Sequence, residues 1–205
     1  MNDTLYDYDN ANAIADACDM AAQQHEAKPA QLDPGRFHAF TMTPDKIPED
    51  KLQQLVDIVD RKSSAKPKSS EVSTRPIPAT INRILNSDTV VYICDGDTPV
   101  AVATLVDPTQ ESYLGYCPLD MYSLYTGKNL DGLLQQEFFA VDESYHGIGL
   151  GTELRAQIAN LGVNTFTVVD ADDKDTMVGM INNGYECAAV IPDDGSGHPV
   201  QIWLG

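Results

Sequence analysis

The stretch from Glu137 to Thr152, reading Glu-Phe-Phe-Ala-Val-Asp-Glu-Ser-Tyr-His-Gly-Ile-Gly-Leu-Gly-Thr, holds residue types at spacings that can do chemistry. An apolar run, Phe138-Phe139-Ala140-Val141, leads into three alternating glycines, Gly147, Gly149 and Gly151, which open an amphipathic segment. Glycine lets the backbone approach a ligand closely and take dihedrals closed to other residues. A helix starting at such a loop offers unpaired N–H groups and the positive end of its dipole. That is a seat for a phosphate or diphosphate. Glu137 heads the apolar run and is a candidate general base. Alternation along a strand predicts that it shares a face with Phe139 and Val141. Gln135 is an alternate position but cannot take a proton.

Positioning that loop requires a strand before it and a helix after it, and the flanking sequence supplies both. Leu133 to Val141 reads as a strand, and Gly149 to Leu161 as a helix with Leu150, Leu154, Ile158 and Leu161 on one stripe. Upstream, Phe37 to Met42 is a strand candidate. Pro48-Glu49-Asp50 then opens a helix carrying Leu52, Leu55, Val56 and Val59. Lys62 to Pro78, rich in Ser, Pro and basic residues, has the composition of a loop. Ala79 to Asn86 is a short helix. Thr89 to Cys94 and Val100 to Val106 form a hairpin around Asp95-Gly96-Asp97. Residues 109 to 131, with four tyrosines, read as an insertion. Downstream, Thr165 to Val169 is a strand and Asp173 to Asn183 a helix. Tyr185 to Ile191 and Val200 to Leu204 form a final strand pair joined by the Pro192 to Gly197 turn. Residues 1 to 35, with Asn10 to Glu26 helical, form an N-terminal extension, and 36 to 205 form the main domain.

Nucleotide-binding loops of two kinds fit poorly. No lysine follows the glycines as a P-loop requires. A dinucleotide fingerprint would place Thr152 at the third glycine and use Asp170 for the ribose, but the loop follows a hairpin and the chain ends in two adjacent strands. A third comparison fits better. His146-Gly147-Ile148-Gly149-Leu150-Gly151 resembles the [RQ]-x-x-G-x-[GA] loop of the GNAT superfamily of N-acetyltransferases, with His146 in place of arginine. Val141 to Gly151 also follows the wider V-D-P-x-Y-R-G-x-G-[IL]-G wording, with Glu143 in place of proline. The Y-x-x-x-G-F ending of the following helix is echoed in Asn183-Gly184-Tyr185.

The resemblance implies an α/β (α+β) fold: a central, mixed but mostly antiparallel sheet flanked by helices, with two strands splayed apart. It implies acetyl-CoA as co-substrate, no metal, and an amine-bearing acceptor, either a small molecule or a protein. Phe139, Ala140 and Val141 would then bind the pantetheine arm or the thioester oxygen through their backbone. His146, Gly147, Ile148, Gly149, Leu150, Gly151 and Thr152 would hold the diphosphate. Glu137 would be the base, working through water. The family's usual proton-donating tyrosine position falls on Met180, which leaves Tyr185 or Tyr145 as donor to the thiolate. Cys187 could accept an acyl group, although a core thiol is the plainer expectation. A CoA-binding or interaction module without catalysis is the alternative of a different class.

Composition narrows the partners. The 205 residues carry a formal net charge of -18, which repels nucleic acid and anionic membranes and attracts cationic amines. The 4 cysteines are far apart and form no C-x-x-C pair, as a zinc site or disulfide framework would want. No apolar run approaches the length of a membrane span, and Met1-Asn2-Asp3-Thr4 opens no export signal, so a cytoplasmic location is expected, with a homodimer left open.

Overall fold

The computed structural model describes residues 32–33, 35–65, 79–108, 123, 126–130, 132–191 and 199–205. The expected N-terminal helix, the basic stretch beyond residue 65, most of the 109 to 131 insertion and the Pro192 to Gly197 turn lie outside them.

Among the described residues seven strands make one sheet in the order β1-β2-β3-β4-β5-β7-β6. β1 (Phe37–Met42), β2 (Thr89–Asp95), β3 (Thr98–Val106) and β4 (Leu134–Val141) pair antiparallel in succession. β4 meets β5 (Thr165–Asp170) in parallel. β7 (Val200–Leu204) lies antiparallel between β5 and β6 (Glu186–Ile191). The helices are α1 (Glu49–Ala65), α2 (Thr80–Leu85), α3 (Leu150–Ala159) and α4 (Lys174–Asn182). This is the mixed, mostly antiparallel sheet with flanking helices that the sequence led us to expect.

β2 and β3 are nearly continuous runs of Val, Ile and Ala because both of their faces are covered. On one face α1 packs Leu52, Leu55, Val56 and Val59 against Val90, Tyr92, Val102, Phe138 and Ala140, and Ile84 of α2 joins them. On the other face Leu150, Leu154 and Ile158 of α3 meet Val91, Ile93, Ala101, Ala103 and Leu105. Each such aliphatic side chain taken from water contributes about 1.5–3 kcal/mol, so the two helices hold β4 firmly between them. α4 covers the far wing of the sheet, with Met177, Val178 and Met180 on Val169 and Trp203. Its first turn is capped by Asp173, which accepts the Thr176 N–H at 3.1 Å.

The segment beginning at Lys62 departs from expectation. α1 runs on through Ala65. No glycine or proline interrupts Arg61 to Ala65, and Arg, Lys and Ala all favour helix, so the break comes later than the loop-like composition suggested.

Candidate active site

β4 and β5 share only two rungs, Leu134 with Thr165 and Gln135 with Phe166. From Gln136 to Val141 no strand among the described residues covers that edge of β4. On its other side the Asp142 N–H donates to Val100 O at 2.8 Å, and Ala140 stands in register with Val102. Antiparallel pairing alternates, so the N–H and C=O of Ala140 face β3 while those of Phe139 and Val141 face the gap. The N–H groups of Phe139 and Val141 therefore open onto the gap, while side chains of the chain itself, Lys62 and His146, meet the two carbonyls. The backbone groups of Ala140 do not open there: β3 uses them, and the side chain is only 2% exposed. Ala140 leaves the candidate site for that reason.

The gap leads up to the glycine loop. A single 3-10 turn, Glu143–Tyr145, follows β4, with the Asp142 carboxylate accepting the Ser144 N–H at 3.0 Å. Gly147 (φ 78) and Gly149 (φ 96) are both left-handed, a conformation other residues adopt only with strain. Ile148 and Leu150 put their side chains into the core and so anchor the loop. The first helical bond of α3 runs from the Glu153 N–H to Gly149 O at 3.0 Å, and no side chain among the described residues caps the helix. The amides of Leu150, Gly151 and Thr152 thus lack intrahelical partners. His146 behaves differently from its neighbours. Its N–H bonds Glu143 O, and its ring Nε2 lies 3.0 Å from Val141 O, so the ring is engaged at the edge of β4.

The sheet that carries this bare edge and glycine-led helix start superposes on known structures. An acyl-CoA N-acyltransferase from Pseudomonas aeruginosa superposes with a TM-score of 0.55 at 11% identity, covering 82% of this chain and 98% of its own. The Escherichia coli protein ElaA gives 0.53 at 11% identity, covering 82% and 98%. An Arabidopsis thaliana protein solved with the bisubstrate analogue CoA-Ac-MVNAL gives 0.52 at 10%, covering 82% and 97%. The chain has the GNAT fold. At this identity the likeness is one of architecture, and no protein-family model and no curated protein matches the sequence.

Within this GNAT fold the titratable groups fall into distinct places. Glu137 does not share a face with Phe139. The register slips between Ala103 and Leu105, so that Glu137 and Phe138 together oppose Thr104, whose hydroxyl accepts the Phe138 N–H at 3.1 Å. This bulge turns Glu137 toward Arg83 of α2, which also lies over the Phe138 ring at 4.3 Å. Arg83 holds one Glu137 oxygen through Nε at 2.9 Å and through the terminal nitrogen at 2.8 Å. The Glu137 side chain is 6% exposed. Burial pushes its carboxyl above the ordinary range, and Arg83 only partly opposes this.

Tyr185 stands where β4 and β5 part. The Gln136 amide donates both to its hydroxyl and to Thr165 Oγ1, the latter at 3.0 Å. That bond leaves the phenolic proton of Tyr185 free to be given elsewhere. Met180 is buried in the core of the wing. Tyr145 is committed away from the gap: its hydroxyl donates to Asp95 at 2.9 Å, where Arg36 also pairs with that carboxylate. Cys187 packs with the α4 cluster and bonds Ala189 O at 3.8 Å, as a core thiol would.

Two cations at the gap escaped the sequence reading. Lys62, in the last turn of α1, donates from Nζ to Phe139 O at 2.6 Å. From the other face Arg155 of α3 stacks its guanidinium on the Phe139 ring at 4.1 Å and lies against Gly179 of α4. Arg155 is 6% exposed, its Nε has no partner among the described residues, and a terminal nitrogen makes a long 3.4 Å contact to Gly151 O. Burial drags its pKa down to about 10, with slight relief from Tyr185. The available signal for Arg155 was the pair of glycines, Gly151 and Gly179, that make room for a large side chain.

Proposed function

We propose that the chain is an acetyl-CoA-dependent N-acetyltransferase. The observation that carries this reading is the outward-facing edge at Phe139 and Val141, followed in the chain by the amides of Leu150, Gly151 and Thr152 that lack intrahelical partners. The edge suits a ligand arm that hydrogen-bonds like an added strand, and the helix start suits its diphosphate. Acetyl-CoA supplies an activated acetyl thioester.

The chain's own residues then divide the work. The Phe139 N–H is placed to take the carbonyl oxygen as it gains charge. Glu137, raised by burial, receives the acceptor's proton through water, and Tyr185 gives one to the departing thiolate. Gly147 to Thr152 fix the diphosphate, with His146 beside them at the strand edge. The acidic balance of the chain favours a cationic amine as acceptor, whether a small amine or a protein lysine or N-terminus.

The test is direct. Acetyl-CoA and free CoA, but not NAD, should raise the melting temperature, and an amine panel should release thiol. A rise with NAD alone would overturn the site. A second reading, a CoA-binding module without catalysis, is favoured by Met180, buried at the position of the family's usual donor. Binding with no thiol release against any amine would select it.

A further inference from the structure

The most telling contact at the gap is made by a primary amine of the chain itself. Lys62 Nζ lies 2.6 Å from Phe139 O, on the stretch of β4 that β5 leaves uncovered. In an extended residue outside the hydrogen-bonded rungs, N–H and C=O point the same way. The Phe139 N–H therefore opens onto the same side as the oxygen that Lys62 touches. If that N–H receives a thioester oxygen, the Lys62 amine stands beside the thioester carbon. Lys62 comes from the α1 face, opposite Arg155, so the two side chains flank Phe139 from both sides of the sheet.

We propose that Lys62 is a site of self-acetylation: an intramolecular acceptor for the acetyl group carried by CoA in this gap. The inference rests on the acetyltransferase reading above. In the step, the neutral ε-amine attacks the thioester carbonyl carbon. An N–C bond forms, the C–S bond breaks, and the proton lost by nitrogen ends on the thiolate, giving Nε-acetyl-Lys62 and free CoA. No oxidant or metal is needed. The acetylated side chain loses its charge and can no longer hold Phe139 O as an ammonium does, so the modification alters the edge that binds the arm.

The experiment uses the full chain with acetyl-CoA, peptide mapping by mass spectrometry, and a parallel melting curve. The exposed Lys46, Lys128 and Lys174 serve as internal controls. Positioning should make Lys62 react on the order of tenfold or more faster than these. The rate per molecule should not change on dilution, and excess desulfo-CoA should suppress it. The Lys62→Arg chain should take up no acetyl at this peptide while acetyl-CoA still raises its melting temperature. Lys62 reacting no faster than the controls, while acetyl-CoA still stabilises the protein, would sink self-acetylation and spare the CoA site. Fast reaction untouched by desulfo-CoA would mark it as modification from bulk solution, and would equally refute the proposal. No stabilisation by acetyl-CoA and no selective reaction would remove both readings together.

Discussion

Replacing Arg155 with methionine tests whether the cation beneath Phe139 is held at a cost. Burial lowers its pKa to about 10 from a guanidinium's ordinary value above 12, which corresponds to about 3 kcal/mol against the charged form in the folded protein. The stack on Phe139 returns about 1–2 kcal/mol in a desolvated setting. The 3.4 Å contact to Gly151 O adds little at that length. Methionine keeps most of the bulk, contacts the same ring and needs no counter-charge. The expected net effect of Arg155→Met is a gain of about 1–2 kcal/mol, or a rise of about 2–8 °C in melting temperature for a chain of this size.

The pH dependence has a definite sign. The folded value lies below the unfolded one, so the cost is present in full well under about pH 10 and fades only as pH climbs above it. The gap between Arg155→Met and the parent should therefore be flat from about pH 6 to pH 8. Urea denaturation followed by circular dichroism at several pH values measures it. A loss of more than about 2 kcal/mol in the variant would refute the reasoning, since it would mean that a buried partner stabilises the guanidinium.

Three further outcomes follow from the site. Gly149→Val forces a branched residue into φ 96 and should cost about 1–3 kcal/mol in stability and abolish the thermal response to CoA; titration calorimetry beside denaturation reads both. Glu137→Gln should slow acetyl transfer by about a hundredfold or more. In the parent, the rate should fall as pH drops through the raised carboxyl value, and a pH–rate profile in which the variant keeps the same acid limb would count against Glu137 as base. Tyr185→Phe should lower the turnover rate on the order of tenfold or more while leaving CoA affinity unchanged. An affinity loss of matching size, seen by calorimetry, would instead give Tyr185 a binding role.

Much of this architecture was legible because it depends on local signals. The hairpin announced itself through β-branched runs around Asp95-Gly96-Asp97, and α3 through its glycine entry and leucine stripe. The side-chain face that Phe139 and Val141 share followed from simple alternation. Glu137 broke that alternation because Thr104, a residue of the neighbouring strand, offers its hydroxyl where a backbone carbonyl would otherwise pair. No reading of β4 alone contains that bulge. Lys62 was misread because its neighbours in sequence resemble a loop, whereas its position is set by the helix that precedes them. Arg155 was passed over because charge on an amphipathic helix normally marks the wet side. The Phe139 ring on one side and Gly179 of α4 on the other, both outside α3, make that side dry.

The two-rung junction of β4 with β5 has a mechanical consequence. It makes a weak seam between a four-stranded slab and a three-stranded one, bridged elsewhere by helix contacts such as Arg155 against Gly179. A molecule lodged along the seam would act as a cross-beam, and its presence should be felt as stiffness on the smaller slab. Amide protons of β5, β7 and β6 should then exchange more slowly once the seam is filled, while those of β2, locked between β1 and β3, should hardly change.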